Sequence, residues 1–532
     1  MTTSDTSASI LVLAQHSDRW FASPDALAEL LRLEGINDLE TADLERLTPA
    51  LIEGRSLVVV GPADPSPEAV DLLLAHVRAG GGLICLAPGE AFASALGLTH
   101  HLRGMMHGRL RIPLDGFPDV ALPIRGWAHQ YGLSASADGA EIAPLLDPQG
   151  HPTGSPAVLE LRHGDGTIIV LAYDLAASTY LLRQGNPLLA GCRASGFDRM
   201  RPSDLFDGWH DFSTAAHPGA DLQCHFFRTL VHRAWPDETV LPWLWYFPDE
   251  AGTILLLTSD DDWSTRDEFK RLITSCEAHA AGLTLYLVQE RSVMDRAWLE
   301  DLAGRGFDFS IHPDLPPPTL PLWEHRLAGH VRQFQETYGR SPSPSIRNHC
   351  ITWSGYLEGV LIESRQGFRF DTNYLSLLPQ GQYYMTGSGL PMPFVDLSGS
   401  VLPVFQLPTQ FSDETTLGDR GFDWSLNLTP EQGIDLITGL MRQNVAGQHS
   451  MLCVNAHPVS FATYSAPLWE PVMQFARAAS IPVWDVDRFS RFWQARRQVR
   501  LKPIPKHQIT DETRLLVSEF PGLSVRLPNH YH

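Results

Sequence analysis

The feature that most constrains the fold is an alternation of short apolar runs with amphipathic segments. Residues 10–14, 57–61 and 83–86 are predicted to be buried strands. The first two are each followed by a predicted helix that begins at a serine–proline pair, which supplies an N-cap and a first-turn proline. Strands that alternate with helices form parallel sheets, so the sequence predicts an α/β fold.

The same alternation begins again at Gly252 and continues to about residue 495. Predicted strands there include residues 253–257, 307–311 and 451–455, and predicted helices lie between them. There are enough strand–helix units for a closed or nearly closed (β/α) barrel. In such a barrel, catalytic groups lie at the carboxyl ends of the strands.

These two halves define the domain organisation that we expect for the 532 residues. The length allows several domains with sizeable cores. We predict an α/β domain over residues 1–216, with a β-rich insertion at about 105–165, followed by a linker over 217–245. A deformed barrel over 246–498 comes next. The chain then ends in a C-terminal β extension over 499–532, which contains an alternating run at 513–517.

Charge and cysteine content exclude several functional classes. Lys and Arg number 40 against 61 Asp and Glu, a net charge of −21, so binding to nucleic acid or to anionic membranes is not expected. The six cysteines are scattered without a C-x-x-C pair, which fits a reducing compartment. No apolar stretch approaches about 18 residues and no signal peptide is recognisable, so we expect a cytoplasmic protein.

Three consecutive carboxylates directly after a predicted strand are the strongest chemical signal. Asp260, Asp261 and Asp262 follow the strand at 253–257. Three adjacent carboxylates repel one another and ionise together only near a cation, which a divalent metal would supply. On this motif alone, a solvated acidic turn that caps the next helix is an equally good interpretation.

Histidines at the ends of other predicted strands favour the metal site. His312, His349 and His457 each lie at or just beyond such an end. A single histidine is more often a structural group than a ligand. Their joint placement at the carboxyl rim of one barrel nevertheless indicates a shared function. One aspartate and two histidines suit zinc and leave positions open for water and substrate.

Residues of about 250–495 resemble the polysaccharide deacetylase family, the NodB-homology domain of carbohydrate esterase family 4. Residues 258–262 are similar to the family's opening Thr-Phe-Asp-Asp-Gly motif. Residues 306–312 are similar to the lead-in and first histidine of its second motif. By this resemblance Asp260 is the general base, and Asp261 and His312 are metal ligands.

The third metal ligand has two candidates. The family's second histidine normally comes four residues after the first, where this chain has Pro316. We favour His349. Arg347 matches the arginine of the family's third motif, which holds the catalytic aspartate. Because positions 347 and 349 share a face in an extended segment, His349 can point to the same site as Arg347. Asp314 is the alternative. By a loose match to the last motif, His457 is the general acid.

The resemblance implies a metal-dependent deacetylase or related amidohydrolase with Zn²⁺ as the expected metal. Its substrate would be an N-acylated sugar, most often N-acetylated, or a related amide, cleaved by metal-activated water. Asp260 would accept a proton from water, His457 would protonate the departing amine, and backbone amides near Asn348 would help to stabilise the oxyanion. The alternative is a catalytically inactive protein with a degenerate deacetylase fold that binds a carbohydrate or small molecule.

The N-terminal region resembles the class I glutamine amidotransferase-like fold, of flavodoxin-like type. That family places its catalytic cysteine on a glycine-flanked turn after a strand. The corresponding turn here, residues 61–64, has no cysteine, and Cys85 lies inside a predicted strand. We therefore expect a non-catalytic domain for packing or ligand binding. A homo-oligomer formed through this domain is a further hypothesis.

Overall fold

A computed structural model describes residues 8–135, 137–193, 197–209, 211–315, 320–375, 388–509 and 522–528. Its architecture is mixed α/β, with two large sheets and helices packed against them. The first sheet uses strands between residues 10 and 171, and the second uses strands between residues 255 and 484.

The strands of the first half are short and mostly buried. They are β1 (Ile10–Ala14), β2 (Leu39–Asp43), β3 (Leu57–Val60), β4 (Gly82–Leu86), β5 (Leu98–Met106), β6 (Arg109–Arg111), β7 (Ala121–Pro123), β8 (Trp127–Leu133), β9 (Gly139–Leu146), β10 (Pro152–His163) and β11 (Gly166–Leu171). Nine of them form one sheet in the order β2-β1-β3-β4-β11-β10-β9-β6-β7, and β5 pairs separately with β8.

The first five strands of this sheet, β2-β1-β3-β4-β11, run parallel, and the remainder are antiparallel. Every residue of β1, β3, β4 and β11 is buried, because helices cover both faces of the parallel part. The segment at about 105–165, where we expected a β-rich insertion, supplies the antiparallel strands.

Helices connect the strands throughout the described residues. They are α1 (Pro24–Leu33), α2 (Pro49–Ile52), α3 (Pro67–Arg78), α4 (Glu90–Ala95), α5 (Leu175–Gln184), α6 (Gly219–Ala234), α7 (Arg266–Ala278), α8 (Arg296–Gly304), α9 (Leu320–Tyr338), α10 (Glu358–Arg365), α11 (Asp413–Thr416), α12 (Pro430–Gln443), α13 (Pro458–Ser460), α14 (Ala466–Ala478) and α15 (Val486–Gln498). The side chains of Ser23 and Ser66 cap α1 and α3, as the serine–proline pairs predict.

Residues 217–245, which we expected to be a linker, contain the 16-residue helix α6. Most of its side chains are buried, including the polar groups of Asp221, Gln223 and His225. Only the side that carries Arg228 and His232 stays partly exposed. The segment is therefore part of the core and not a flexible connection.

The second sheet curls as a half-barrel. Its strands are β14 (Leu255–Asp260), β15 (Thr284–Leu287), β16 (Asp308–Ile311), β17 (Ser345–Ile346), β18 (Phe370–Asp371), β19 (Met392–Val395), β20 (Val401–Gln406), β21 (Phe411–Ser412), β22 (Leu452–Asn455) and β23 (Val483–Trp484). The order is β19-β20-β18-β17-β16-β15-β14-β22-β21, and β23 also pairs with β14. Among the described residues β19 and β21 are the two edges, so the sheet is an open half-barrel and not a fully closed barrel.

The C-terminal segment folds back onto the chain through two short strand pairs. These join β12 (Thr239–Val240) to β24 (Ile504–Pro505) and β13 (Trp243–Leu244) to β25 (Val525–Arg526). The alternating run predicted at 513–517 lies outside the described residues. In the parts of the chain that the structure describes, no helix is long and apolar enough to cross a membrane.

The two halves share one hydrophobic core. A single cluster of buried side chains runs from Ile10 in β1 to Trp493 in α15. Polar groups also join the halves. The side chain of Gln184 exchanges two hydrogen bonds with the backbone of Val395, at 2.8 and 2.9 Å. The Asp221 carboxylate accepts hydrogen bonds from the backbone of Leu390 at 3.0 Å and from Ser450 Oγ at 2.6 Å.

Candidate active site

The end of β14 directs Asp260 into a pocket at the carboxyl rim of the second sheet. Thr258 and Asp260 lie two residues apart in a strand and therefore share a face. Arg347 Nη1 donates to both, at 2.8 Å to Thr258 Oγ1 and 3.2 Å to Asp260 Oδ1. Asn455 Nδ2 donates to Asp260 Oδ2 at 2.9 Å. The carboxylate is thus held in place and remains on the pocket wall.

Asp261 points the other way and does not reach this pocket. Its Oδ1 accepts a hydrogen bond from the backbone of Ser264 at 3.2 Å, and its Oδ2 accepts one from Val288 N at 3.4 Å. Burial raises the pKa of Asp261 to about 6. The carboxylate therefore braces the turn after β14. This placement differs from the metal-ligand role that the family motif implies for Asp261.

Asp262 is the second carboxylate that faces the pocket. Its φ of 42° and the φ of 58° at Trp263 are left-handed, so the chain turns sharply after Asp261. Such conformations cost of order 1–3 kcal/mol each and are typical of functional turns. Asp262 Oδ1 lies 3.2 Å from His312 Nε2 and 4.0 Å from His349 Nε2. The structure thus brings Asp262, and not Asp261, to the two histidines.

Both histidines are oriented by hydrogen bonds on the side away from Asp262. His312 Nδ1 lies 2.8 Å from the carbonyl oxygen of Arg347 and must donate to it. His349 Nδ1 lies 3.3 Å from Asp314 Oδ1. These contacts leave each Nε2 directed at the Asp262 carboxylate. Hydrogen-bonded Nδ1 groups of this kind fix the tautomer of histidines that bind metals.

The donor set fits a divalent metal ion. The three ligand atoms of Asp262, His312 and His349 lie within 4.8 Å of one another. Asp262 Oδ1 is buried and has no hydrogen-bond partner among the described residues. An imidazole lone pair 3.2 Å from this oxygen is repulsive unless a proton or a cation lies between them. Two nitrogens and one carboxylate oxygen match the preferences of zinc.

Asp314, the alternative third ligand, lies behind His349. Its Oδ1 contacts His349 Nδ1 and accepts a hydrogen bond of 2.7 Å from Arg199 Nη1. Burial opposes ionisation, but the hydrogen bonds from Arg199 and His349 outweigh it and lower the pKa of Asp314. Asp314 therefore orients His349 and does not join the cluster.

His457 faces the same two aspartates from β22's side of the pocket. Its Nε2 lies 3.8 Å from Asp260 Oδ2 and 3.4 Å from Asp262 Oδ2. Asp413 Oδ1 lies 2.6 Å from His457 Nδ1, and Asp413 Oδ2 accepts from the backbone of His457 at 2.9 Å. Burial disfavours the imidazolium, but Asp413 and Asp262 outweigh it and raise the pKa of His457 well above its ordinary value.

Asp413 was missed by the sequence analysis, because nothing in its local sequence distinguishes it from an ordinary acidic residue in the first turn of a helix.

The backbone amides that we expected to stabilise the oxyanion already have hydrogen-bond acceptors within the protein. The backbone N–H of Asn348 donates to Asn373 Oδ1 at 2.6 Å, and that of His349 donates to Pro313 O at 3.0 Å. Neither amide is therefore available to a substrate.

The open pocket gathers residues from both halves of the chain. Its wall is formed by Arg201, Asp260, Asp262, His312, Arg347, His349, Cys350, Ile351, Leu375, Ser412, Glu414, Thr415, Trp424, Asn455 and His457. The five residues Asp260, His312, Arg347, His349 and His457 that the sequence predicted as catalytic or metal-binding are thus together, and Asp261 is not.

No family model matches the chain, and no curated protein shows significant similarity to it. Solved structures that resemble it include the carbohydrate deacetylase Agd3, at 12% identity over 92% of this chain and 87% of that one, with a TM-score of 0.39. A putative polysaccharide deacetylase from Mycobacterium smegmatis is 13% identical over 48% of this chain and 94% of its own, with a TM-score of 0.37. Puue allantoinase is 12% identical over 47% and 93%, with a TM-score of 0.35. Because these values are low, the chemistry of this chain must be inferred from its own residues.

Proposed function

We propose that this chain is a metal-dependent hydrolase that removes an acyl group, most often acetyl, from an N-acylated sugar or related amide. The observation that carries the proposal is the arrangement around one open pocket. Asp262, His312 and His349 converge there, and Asp260 and His457 lie opposite each other beside them. A candidate base and a candidate acid next to a metal-type ligand set are the parts that amide hydrolysis requires.

Asp260 is the proposed general base. Arg347 donates to its Oδ1 and Asn455 donates to its Oδ2, so hydrogen bonds to both oxygens hold the carboxylate on the pocket wall. The carboxylate can then accept a proton from an attacking water while Arg347 keeps it aimed into the pocket. Arg347 is itself fixed, because its Nη2 donates to Thr409 Oγ1 at 2.7 Å.

His457 is the proposed general acid. Its Nδ1–H is directed at Asp413, so the reactive Nε2 points into the pocket. An imidazolium held there can donate its Nε2 proton to the nitrogen of the departing amine. Asp413 stabilises the charged ring and sets its orientation, in the manner of the aspartate of a catalytic triad.

Asp262, His312 and His349 are the residues that would hold the metal, and we propose Zn²⁺. The chemistry that such an ion supplies when bound is polarisation of the acyl carbonyl and a lower pKa for water. The chain's own contribution is to direct the two Nε2 atoms and one carboxylate oxygen at a common point. Arg347, through its carbonyl, and Asp314 hold the histidines in that orientation.

The alternative of an inactive carbohydrate- or small-molecule-binding protein is not favoured. In the proposed site, Asp262 would supply the carboxylate ligand in place of Asp261, and His349 would serve instead of a histidine at position 316, which is a proline here. A pocket that only bound a ligand would have no need of a buried acid–base pair such as Asp260 and His457.

We further propose that the chain divides near residue 245 and that its N-terminal part is a non-catalytic, flavodoxin-like or amidotransferase-like domain. The parallel strand order β2-β1-β3-β4-β11 supports this, because it follows the flavodoxin-like arrangement. Cys85 is buried inside β4, and burial raises the pKa of its thiol, so it is unsuited to nucleophilic attack. The six free cysteines fit the cytoplasmic location that we propose.

Elemental analysis combined with an acetate-release screen tests the proposed function. The purified full chain should contain about one divalent metal per molecule and should release acetate from at least one N-acetylated sugar. Asp260→Asn should keep its metal and lose acetate release. The proposal would be contradicted if the full chain bound no divalent metal. It would also be contradicted if the metal-loaded Asp260→Asn variant kept the wild-type rate of acetate release.

A further inference from the structure

Two charged side chains of the pocket, Arg201 and Glu414, take no part in the proposed chemistry, and Arg201 is the cation of the two. Arg201 comes from the N-terminal half, at the start of the segment 202–206, and lines the same pocket as Asp262 and His349. Its guanidinium packs against the ring of Phe197, 3.1 Å from the ring centroid. Burial lowers the pKa of Arg201 to about 10, so it remains a cation at neutral pH.

The guanidinium of Arg201 has no acceptor among the described residues. The structure gives it neither an ion pair nor a side-chain hydrogen bond in that part of the chain, and its buried Nε is unpartnered. Its backbone, by contrast, is bonded: the N–H of Arg201 donates to Asp204 Oδ2 at 2.8 Å, and its carbonyl oxygen accepts from Asp204 N at 3.0 Å. The residue as a whole is half-buried, so the cost of leaving a donor without an acceptor falls on the buried Nε–H.

Two fully buried arginines, Arg183 and Arg496, show how acceptors are supplied in the core. Arg183 contacts the Asp221 carboxylate at 3.3 Å and donates to Leu390 O at 2.7 Å. Arg496 donates to the backbone carbonyl oxygens of Trp245 and Leu244 at 2.8 and 2.9 Å. The chain therefore supplies acceptors where a buried arginine has a structural role. Arg201 differs in lacking them and in facing a pocket.

The remaining charges of the pocket are already matched. Asp260 is paired with Arg347, His457 is paired with Asp413, and Asp262 faces His312. Glu414 also lines the wall, but it lies beyond ion-pair distance of Arg201, and burial, assisted by Asp413 and Asp262, raises its pKa. Arg201 is thus left as a cation that an incoming group must satisfy.

We propose that Arg201 binds an anionic group of the substrate close to the scissile amide, so that the preferred substrates are N-acylated sugar acids and not neutral N-acylated sugars. The inference rests on the proposed function for the identity of the amide, and on the unpartnered guanidinium for the anion. A carboxylate is the best match, because the planar fork of arginine forms two parallel, charge-assisted hydrogen bonds with it.

The same placement gives the N-terminal half a direct part in substrate selection. Arg201 reaches the pocket from a segment that is anchored to the other half, since Trp353 N donates to Met200 O at 2.9 Å. Arg199 of the same segment holds Asp314, which orients His349. The N-terminal half, which has no catalytic residues of its own in the proposed mechanism, would thereby contribute to substrate specificity through Arg201.

Calorimetric binding to the full-length protein tests this inference separately from catalysis. The probes are N-acetylmuramic acid and N-acetylneuraminic acid, with N-acetylglucosamine as the neutral control. We expect the acidic sugars to bind the wild type roughly 10–100-fold more tightly than the neutral one, the range typical of a charge-assisted contact. Arg201→Gln should remove that preference, and Arg201→Lys should restore part of it. Arg420→Gln, which changes an arginine outside the pocket lining, is the matched control and should keep the preference.

Equal binding of acidic and neutral sugars by the wild type would overturn the inference, as would undetectable binding of both acids at millimolar concentration. A preference that survives in Arg201→Gln would overturn it as well. Acetate release from the same compounds distinguishes the two proposals. Charge-selective binding without any acetate release would support the anion site and contradict the proposed hydrolase. Acetate release without a charge preference would support the hydrolase and contradict the anion site.

Discussion

At the scale of single residues, the site depends on the direction of three adjacent carboxylates. Asp260 is the last residue of β14, and left-handed backbone at Asp262 turns the chain sharply just after Asp261. Asp260 and Asp262 consequently face the pocket, and Asp261 binds backbone amides beneath it. Neighbours with the same chemistry have different roles because of backbone geometry alone.

The contact between His457 and Asp413 leads to a prediction about proton transfer. His457→Gln should lower kcat by about 10²–10⁴-fold, because the amine would depart without a proton donor. Asp413→Asn should lower kcat less and leave KM nearly unchanged, since the ring would lose its orientation but remain present. Steady-state kinetics with parallel metal analysis measures both effects. An Asp413→Asn variant with wild-type kcat would contradict the role given to Asp413.

The sequence predicted most of the site but not its complete ligand set. Strand ends located Asp260, His312 and His457, because carboxyl ends of parallel strands meet at one edge of a sheet. Both the strand-end position and the family motif led to Asp261, because the sharp turn at Asp262 that brings the next carboxylate to the pocket leaves no signal in the sequence. Asp413 could not be predicted, since its contact with His457 joins residues 44 positions apart.

At the scale of secondary structure elements, short apolar runs located strands well. Residues 10–14 and β1 coincide, and residues 451–455 differ from β22 by one residue. The helix α6 and the open edges of the half-barrel were not predicted. Both depend on packing between distant segments, which leaves no periodic signal in the local sequence.

The strand β16 carries a buried acid at the end opposite His312. Asp308 accepts hydrogen bonds from Thr284 Oγ1 at 2.9 Å and Ser343 Oγ at 3.1 Å, and burial, with help from Asp485 and Asp487, raises its pKa to about 7. The folded state therefore binds this proton more tightly than the unfolded state. The stabilisation is complete below the unfolded pKa near 4 and is lost as pH rises towards 7.

Asp308→Asn should accordingly flatten the pH dependence of stability. Relative to the variant, the wild type should lose about 2–4 kcal/mol of unfolding free energy between about pH 4 and pH 8. Denaturant unfolding of both proteins across this range measures the difference. Acetate release should change little, because the residue lies away from the pocket lining. A constant difference between the two proteins at all pH values would contradict the assignment.

At the scale of the whole molecule, one hydrophobic cluster joins the two halves of the chain. The hydrophobic cluster that includes β1 and α15 crosses the expected domain boundary, and buried Gln184 and Asp221 bind backbone of the second half. The segment that contains Arg199 and Arg201 contributes to the pocket: Arg201 lines its wall, and Arg199 donates to Asp314. The division that the sequence predicts near residue 245 does not reveal this shared cluster.

Removal of the first half should therefore abolish folding and not merely activity. A chain of residues 245–532 would expose the apolar surface that packs against α1, α5 and α6, and we expect it to aggregate or to lack a cooperative thermal transition. Circular dichroism melting and size-exclusion chromatography check this outcome. A monomeric fragment with a sharp transition and bound metal would show that the second half is independent.

The most direct test of the central claim is the metal content of two neighbouring variants, Asp262→Asn and Asp261→Asn. If Asp262, His312 and His349 form the site, Asp262→Asn should lose most of its bound metal, and Asp261→Asn should retain it with a lower melting temperature. Full-length protein, purified in parallel and analysed by mass spectrometry for metals, gives the comparison. Metal retained by Asp262→Asn and lost by Asp261→Asn would contradict the account.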